Sequence, residues 1–413
     1  MTDTIFATDV AALDAADPLA AFRDRFHLRE GLIYLDGNSL GALPKATGDR
    51  IADVVGSEWG EGLITSWLGA EWSTAPRRIG DKIGRLIGAA PGEIVATDST
   101  SVNIFKALTA ALSLRRERTV ILSEATNFPT DVYMMQGIEA FSGGRVKAVT
   151  VAPDDIVDAL TDDVAVLLLT QVHYKSGRVR DMAAISKAAH DVGALVVWDL
   201  SHSAGAIPVD LNGAGADFAI GCGYKFLNGG PGAPAYLFAA ARHHAATPVL
   251  SGWFGHARPF DFEEDYDPAA GIERFQCGTP PVLGLSALEV GVDLMLEADM
   301  AEIRRKSLAL GDLFIERMRP LCDAHGFQLV SPQNHAERGS QVAYAHPQGY
   351  QIVQALKEFD VIADFRTPDI LRFGLTPLYL RYQDIVDTVE RLEKVCVTRA
   401  WDKPQYHQRA AVT

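Results

Sequence analysis

Basic side chains are scarce relative to acidic ones: 38 Lys and Arg stand against 53 Asp and Glu, a formal charge of −15 over 413 residues. Nucleic acid and anionic membrane surfaces both demand clustered Lys and Arg, so neither is expected as a main partner. Cysteine is rarer still. Cys222, Cys277, Cys322 and Cys396 are scattered, with no C-x-x-C spacing for zinc or dithiol chemistry, and free thiols in a reducing cytoplasm are the expectation. No apolar run approaches the roughly 18–20 residues that span a bilayer. The stretch Met1–Asp9 lacks the basic start and apolar core of a secretory signal. Also missing are G-x-G-x-x-G after a strand, G-x-x-x-x-G-K-[ST] and H-E-x-x-H, which removes the nucleotide and zincin motifs. No metal is expected, and the pair His243-His244, lacking partners at ligand spacing, is expected in solvent.

What is present is an ordinary globular composition, 48% hydrophobic, on a chain long enough for two or three domains. From about residue 76 to 240 two periodicities alternate. Pro76–Ala89, Ser101–Leu114, Thr130–Ala140 and Asp181–Val192 carry apolar residues at helical spacing. Between them lie short apolar runs at Thr119–Leu122, Val146–Val151, Val164–Thr170, Ala194–Trp198 and Asp217–Cys222, which read as strands buried on both faces. This alternation predicts an α/β fold with a mostly parallel central sheet covered by helices. After residue 282 the texture changes. Val282–Leu296 and Met300–Cys322 read as helices, then come short strands at Gln328–Val330 and Gln341–Tyr344, a helix near Tyr350–Phe359, a strand near Leu371–Phe373 and a last helix, Gln383–Val397. The expected division is a loop-rich segment 1–50 packing on the small domain, a large α/β domain 51–282 and a small α+β domain 283–413.

Ligands of open α/β sheets bind at the carboxyl ends of strands, so the residues there carry the functional argument. Ser99-Thr100-Ser101 opens a helix and can be a phosphate cradle or a plain N-cap. Asp199 ends one strand, and Gly223-Tyr224-Lys225-Phe226-Leu227-Asn228-Gly229-Gly230-Pro231-Gly232 follows the next. An anion site, a carboxylate and a lysine together match the needs of pyridoxal 5′-phosphate: a seat for the phosphate, a partner for the pyridine nitrogen and an amine for the aldehyde. Lys175 is the rival lysine, in what reads as a surface turn. Cys322 and Cys396 fall in helical patterns and read as half-buried packing residues.

Asp199-x-x-His202 and the Tyr224–Gly232 block resemble fold-type I pyridoxal-phosphate enzymes of the aminotransferase class V group. Leu35–Gly41, Asn127–Asp131, Ser251–His256 and Arg372–Tyr379 extend the likeness to the kynureninase family, in order from residue 34 to 379. The resemblance implies cleavage of L-kynurenine to anthranilate and L-alanine, a step of tryptophan catabolism, by a cytoplasmic homodimer with shared active sites. It implies that Thr100 and Ser101 hold the cofactor phosphate beside Tyr224, with Trp253 and Thr279 reaching in from a second subunit. Phe128 would stack on the pyridine ring, a position where related cysteine desulfurases place histidine. Asp131 and Thr170 would line the O3′ and nitrogen side, and Asp199 and His202 would anchor the ring. Lys225 would tether the cofactor and carry protons, with Tyr224 a candidate acid/base and Lys225, Tyr224 and Asp199 the catalytic set. Arg372 would grip the substrate α-carboxylate, with Asn38, Ser39 and Trp67 also facing substrate. Trp67 and Thr279 stand where relatives favouring 3-hydroxykynurenine have histidine and asparagine, so unhydroxylated kynurenine is the expected preference. Two other readings stay open: a related desulfurase or aminotransferase, and a non-catalytic regulator on the same scaffold.

Overall fold

The computed structural model describes residues 9–246 and 248–409; apart from Asp9, the N-terminal stretch without leader features lies outside them. The chain divides into two compact units, a smaller one of Met1–Ala42, Lys175–Gly177 and Ala298–Thr413, and a larger one of Leu43–Tyr174 and Arg178–Glu297. The helix Val282–Leu296 falls in the larger unit.

The larger unit is built on a seven-stranded sheet. Its spatial order is Ile94–Ala96, Tyr236–Ala239, Phe218–Gly221, Leu195–Asp199, Val164–Thr170, Val120–Glu124 and Lys147–Val151. The last five run parallel, and Tyr236–Ala239 lies antiparallel to both of its neighbours. Val164–Thr170 is buried at all seven positions, as an interior strand covered on both faces must be. Trp198, fully buried among aliphatic side chains, still finds a partner for its indole N–H in Ser186 Oγ at 3.2 Å. One strand departs from the expected burial on both faces. Lys147–Val151 is the sheet edge and its residues are exposed or half-buried, with Lys147 outward, the charged edge that discourages further strand pairing. The helix Ala75–Ile87 begins with Pro76 in its first turn and ends at Gly88, whose φ of 66° lies in the left-handed region.

In the smaller unit, Asp364–Arg366, Ile370–Gly374, Gln341–Ala345 and Gln328–Leu329 form an antiparallel sheet in that order, and Ile33–Tyr34 pairs in parallel with Val361–Ile362. The sequence pattern places the end of the long helix at Cys322, but the helix runs from Met300 to His325. It is capped by Asp299, which accepts from the Ala301 N–H, and stopped by Gly326 at φ 80°. Tyr382–Val397 closes the unit as an amphipathic helix. Among the described residues no helix is long and apolar enough to cross a membrane.

Candidate functional site

The larger unit gathers its candidate residues at the carboxyl ends of parallel strands. Thr170 and Asp199 are the last residues of adjacent strands and lie opposite each other in register. Asp199 Oδ1 accepts from the Ser201 N–H at 2.7 Å. Asp131, in the first turn of the helix Pro129–Phe141, is fully buried. Burial and the neighbouring charge of Asp199 push its carboxyl well above the usual range. Burial likewise raises Asp199, against the opposing pull of Ser201 and Lys225. Neither oxygen of Asp131, nor Oγ1 of Thr170, has a hydrogen-bond partner. A buried carboxyl without a partner is costly, so this pair forms a socket suited to a cationic N–H group.

Lys225 Nζ lies 3.0 Å from His202 Nε2 and stands over the rings of Phe128 and Tyr224, 5.9 Å from each centroid. Phe128 meets Tyr174 edge-on at 5.2 Å. Burial, Cys222 and Asp199 all raise the Tyr224 phenol above its ordinary value, so at neutral pH it is a proton donor. Ser99 is the N-cap of the helix Thr100–Ser113, its side chain accepting from the Val102 N–H. Thr100 and Ser101 are therefore the first two helical residues, whose backbone N–H groups the helix cannot satisfy and which suit an anion. Just before them Asp98, at φ 49°, is paired with the buried Lys106. A helix start for phosphate, two buried carboxyls for a ring nitrogen and an amine beside an exposed aromatic face fit pyridoxal 5′-phosphate.

The structure brings Trp67 and Trp253 together elsewhere in this unit. Trp67 packs on Trp72, Phe254 and Phe260, and Trp253 on Phe254, Phe260 and Phe262, with centroid separations of 5.1 to 6.5 Å. Thr279 is exposed. Cys277, two residues before it, donates to the Leu250 carbonyl, and burial raises its thiol, the opposite of an activated nucleophile. His243 corrects the expectation of a solvated histidine pair. It is largely buried against Asp217 at 2.7 Å and stacked on Phe218, while His244 bonds the Ala239 carbonyl. These bonds hold both histidines against the larger unit just past the end of Tyr236–Ala239.

In the smaller unit Arg372 is fully buried on the strand Ile370–Gly374, directly opposite Asp364. Its Nε donates to Asp364 Oδ1 at 2.9 Å, its Nη2 to Asp364 Oδ2, and Nη2 also to Ser39 Oγ at 2.8 Å. Asn38 is buried, donating to Gln341 Oε1 at 3.2 Å, with its own Oδ1 unpartnered. A Cβ on Gly374 would lie 2.2 Å from that Oδ1, so only glycine lets Asn38 sit against the strand. Asp36, Asp364 and Ser201 are polar residues that motif reading passes over. Asp364 carries a usable signal, since an acid and a base placed symmetrically about a hairpin turn become cross-strand partners. Asp36 lies inside the Leu35–Gly41 block with nothing local to single it out.

A family model described as the kynureninase C-terminal domain matches residues 303–392. A kynureninase of Burkholderia pseudomallei is 49% identical over 98% of this chain and 99% of its own length. That of Pseudomonas fluorescens is 48% identical over the same shares. Among solved structures, a cysteine desulfurase of Thermococcus onnurineus aligns over 96% of this chain and 100% of its own, with TM-score 0.76 and 18% identity. A C-DES mutant with glycine covalently linked to its PLP cofactor aligns over 90% and 98%, with TM-score 0.78 and 17% identity. At such identities the structures establish the fold alone, an α/β fold with a mostly parallel central sheet.

Proposed function

The chain belongs to the kynureninase family, and from that premise we propose how its residues carry out the pyridoxal-phosphate-dependent hydrolysis of L-kynurenine to anthranilate and L-alanine, a step of tryptophan catabolism. The observation that carries the residue assignment is the cluster of Lys225, His202 and Phe128 beside the buried, unsatisfied Asp131 and its neighbour Asp199. When bound, the cofactor supplies an electron sink for negative charge at the substrate Cα. Thr100 and Ser101 would hold its phosphate at the helix start, Phe128 would cover a ring face, and Thr170 and Asp131 would bound the ring edge. Asp199 would hold a proton on the ring nitrogen, the ion pair offsetting the pull of burial on its carboxyl, with His202 anchoring the ring from the same strand end. Lys225 moves a proton at Cα. Tyr224, held neutral, is suited to donate at the γ-carbonyl oxygen while water adds to that carbon. Production of anthranilate fluorescence on addition of kynurenine, together with a change in the visible spectrum of the holoenzyme, is the expected result. Sulfide release from cysteine in its place would assign the desulfurase reaction.

Arg372 grips the α-carboxylate, with Asn38 and Ser39 beside it. Arg372→Lys keeps the charge but loses the planar fork, so kcat/KM should fall by roughly 10- to 10³-fold, mainly through KM. An unchanged KM would move the carboxylate anchor to another residue. Trp67, Trp253 and Thr279 belong to the ring end of the substrate and the partner's phosphate in a homodimer. Exposed Phe262, Phe260, Ile64 and Leu68 around the tryptophan cluster support such an interface, since apolar surface of this extent favours burial. Sedimentation at assay concentration should therefore show a dimer; a fully active monomer would end the shared-site reading. An indole edge is a poor partner for a phenolic hydroxyl, so kynurenine should exceed 3-hydroxykynurenine in kcat/KM by up to about 10²-fold. A ratio at or below unity would remove Trp67 and Thr279 as the selecting residues. The four free thiols fit a cytoplasmic enzyme.

A further inference from the structure

In the smaller unit, the environment of Arg372 holds more charge than one arginine needs. Asp364 and Arg372 are direct cross-strand partners, each about 1% exposed. Asp364 takes one whole edge of the guanidinium, Nε and Nη2. Ser39 Oγ donates to Asp364 Oδ2 at 2.6 Å and accepts from Arg372 Nη2 at 2.8 Å. Arg366 Nη2 reaches the same Asp364 oxygen at 2.8 Å and Ser39 Oγ at 3.2 Å. A second carboxyl, Asp36, stands within hydrogen-bonding reach of both Ser39 and Asp364, and its Oδ1 is buried without a partner. Two guanidiniums and two carboxylates sum to zero charge. The same cluster with one proton on a carboxyl is positive, and only then does it favour an anionic ligand.

We propose that Asp364 is the positioning residue of the substrate-carboxylate receptor, clamping Arg372 by one edge of its fork, and that Asp36 is the companion carboxyl whose proton keeps the cluster positive. The inference rests on the reading of Arg372 as that receptor. The clamp acts before the ligand arrives: an arginine held along one edge has already lost its rotamer freedom and presents its plane in a single orientation. Asp36 is the group that changes charge near neutrality. Burial and the adjacent Asp364 raise its carboxyl to about 7. Asp364 is itself buried, yet Arg372, Arg366 and Ser39 hold it below the usual carboxylate value. The other titratable groups around Asp36 are Tyr34 and Tyr379, both raised by burial and so neutral, and the two arginines, always charged. Below the Asp36 pKa the cluster is positive; above it the cluster is neutral. Carboxylate affinity therefore falls as pH rises through about 7.

The test uses 4-(2-aminophenyl)-4-oxobutanoate, which keeps the substrate's carboxylate and aryl ketone but has no α-amine. Its dissociation constant is measured on the holoenzyme between about pH 6 and pH 8.5, where Asp36 changes charge and the ligand does not. Wild type should weaken about 3- to 10-fold across that range, and Asp36→Asn should stay tight and flat. Asp364→Asn also removes a negative charge, which alone would tighten the anion. Loss of the clamp should therefore show as a net weakening of about 10-fold, with KM raised more than kcat is lowered and Asp364→Glu recovering part of the loss. The visible spectrum of each variant reports whether the cofactor is still held. Unchanged affinity in Asp364→Asn, or a wild-type pH slope in Asp36→Asn, overturns the proposal. Arg372→Ala separates the two levels. If it leaves probe affinity unchanged, the receptor reading itself fails. If it weakens the probe while Asp364→Asn does not, only the positioning role fails.

Discussion

Replacing Lys225 by alanine should lower kynurenine turnover by about 10⁴-fold or more, because one amine serves both as the covalent tether and as the proton carrier. The hydrogen-bonding neighbour of Lys225 Nζ is an imidazole nitrogen at 3.0 Å, and the amine stands over two aromatic rings. The residues assigned to phosphate and ring do not include this side chain, so the variant should still bind the cofactor, without its covalent attachment. Borohydride reduction of wild type followed by peptide mapping should place the adduct on the peptide containing Lys225. An adduct on Lys175 would sink the assignment. Lys175 sits in the turn between the bridged residues Val172 and Val179, half-buried.

Asp199→Asn should cut turnover by on the order of 10²-fold or more while leaving the cofactor bound, as expected when a charge that stabilises a buried cation is lost. Asparagine keeps the shape and can still accept from the Ser201 N–H, the bond that Oδ1 makes at 2.7 Å. What it cannot do is hold a proton on the ring nitrogen by charge. Asp131 is close by, and its carboxyl is pushed toward the neutral form by burial and by Asp199 itself. Removing the Asp199 charge lowers that second obstacle, so Asp131 can recover part of the function. The double variant with Asp131→Asn should then lose more than either single one. Turnover of Asp199→Asn within a few-fold of wild type, with Asp131 also replaced, would contradict the role of both carboxyls.

Much of the framework is legible from local pattern. The helix Val282–Leu296 and the strand Val164–Thr170 begin and end at the residues their apolar runs mark. The strands Ile94–Ala96 and Tyr236–Ala239 escape such reading. They are three and four residues long, too short for a periodicity to declare itself, and each abuts a polar or glycine-rich loop that dominates the local texture. The last residues of the long helix, to His325, escape because Asp323-Ala324-His325 continue no apolar stripe beyond Cys322.

By itself, the sequence determined the alternating α/β architecture, the strand ends that carry Thr170, Asp199 and Lys225, the helix start at Thr100 and Ser101, and the family blocks. These are properties of contiguous residues, set by short-range propensity, hydrophobic period and capping, and they survive without knowledge of what packs where. Tertiary structure decided the pairings. The closeness of Asp131 to Asp199, the edge exposure of Lys147–Val151, the burial of His243 on Asp217 and the engagement of Arg372 by Asp364, Ser39 and Arg366 all depend on sheet order and register. Register is chosen by which faces of many strands are buried together, and a slip of one residue would turn every side chain to the opposite face. A charged group's partner, and with it its protonation and its chemistry, is therefore fixed only when the whole core closes around it.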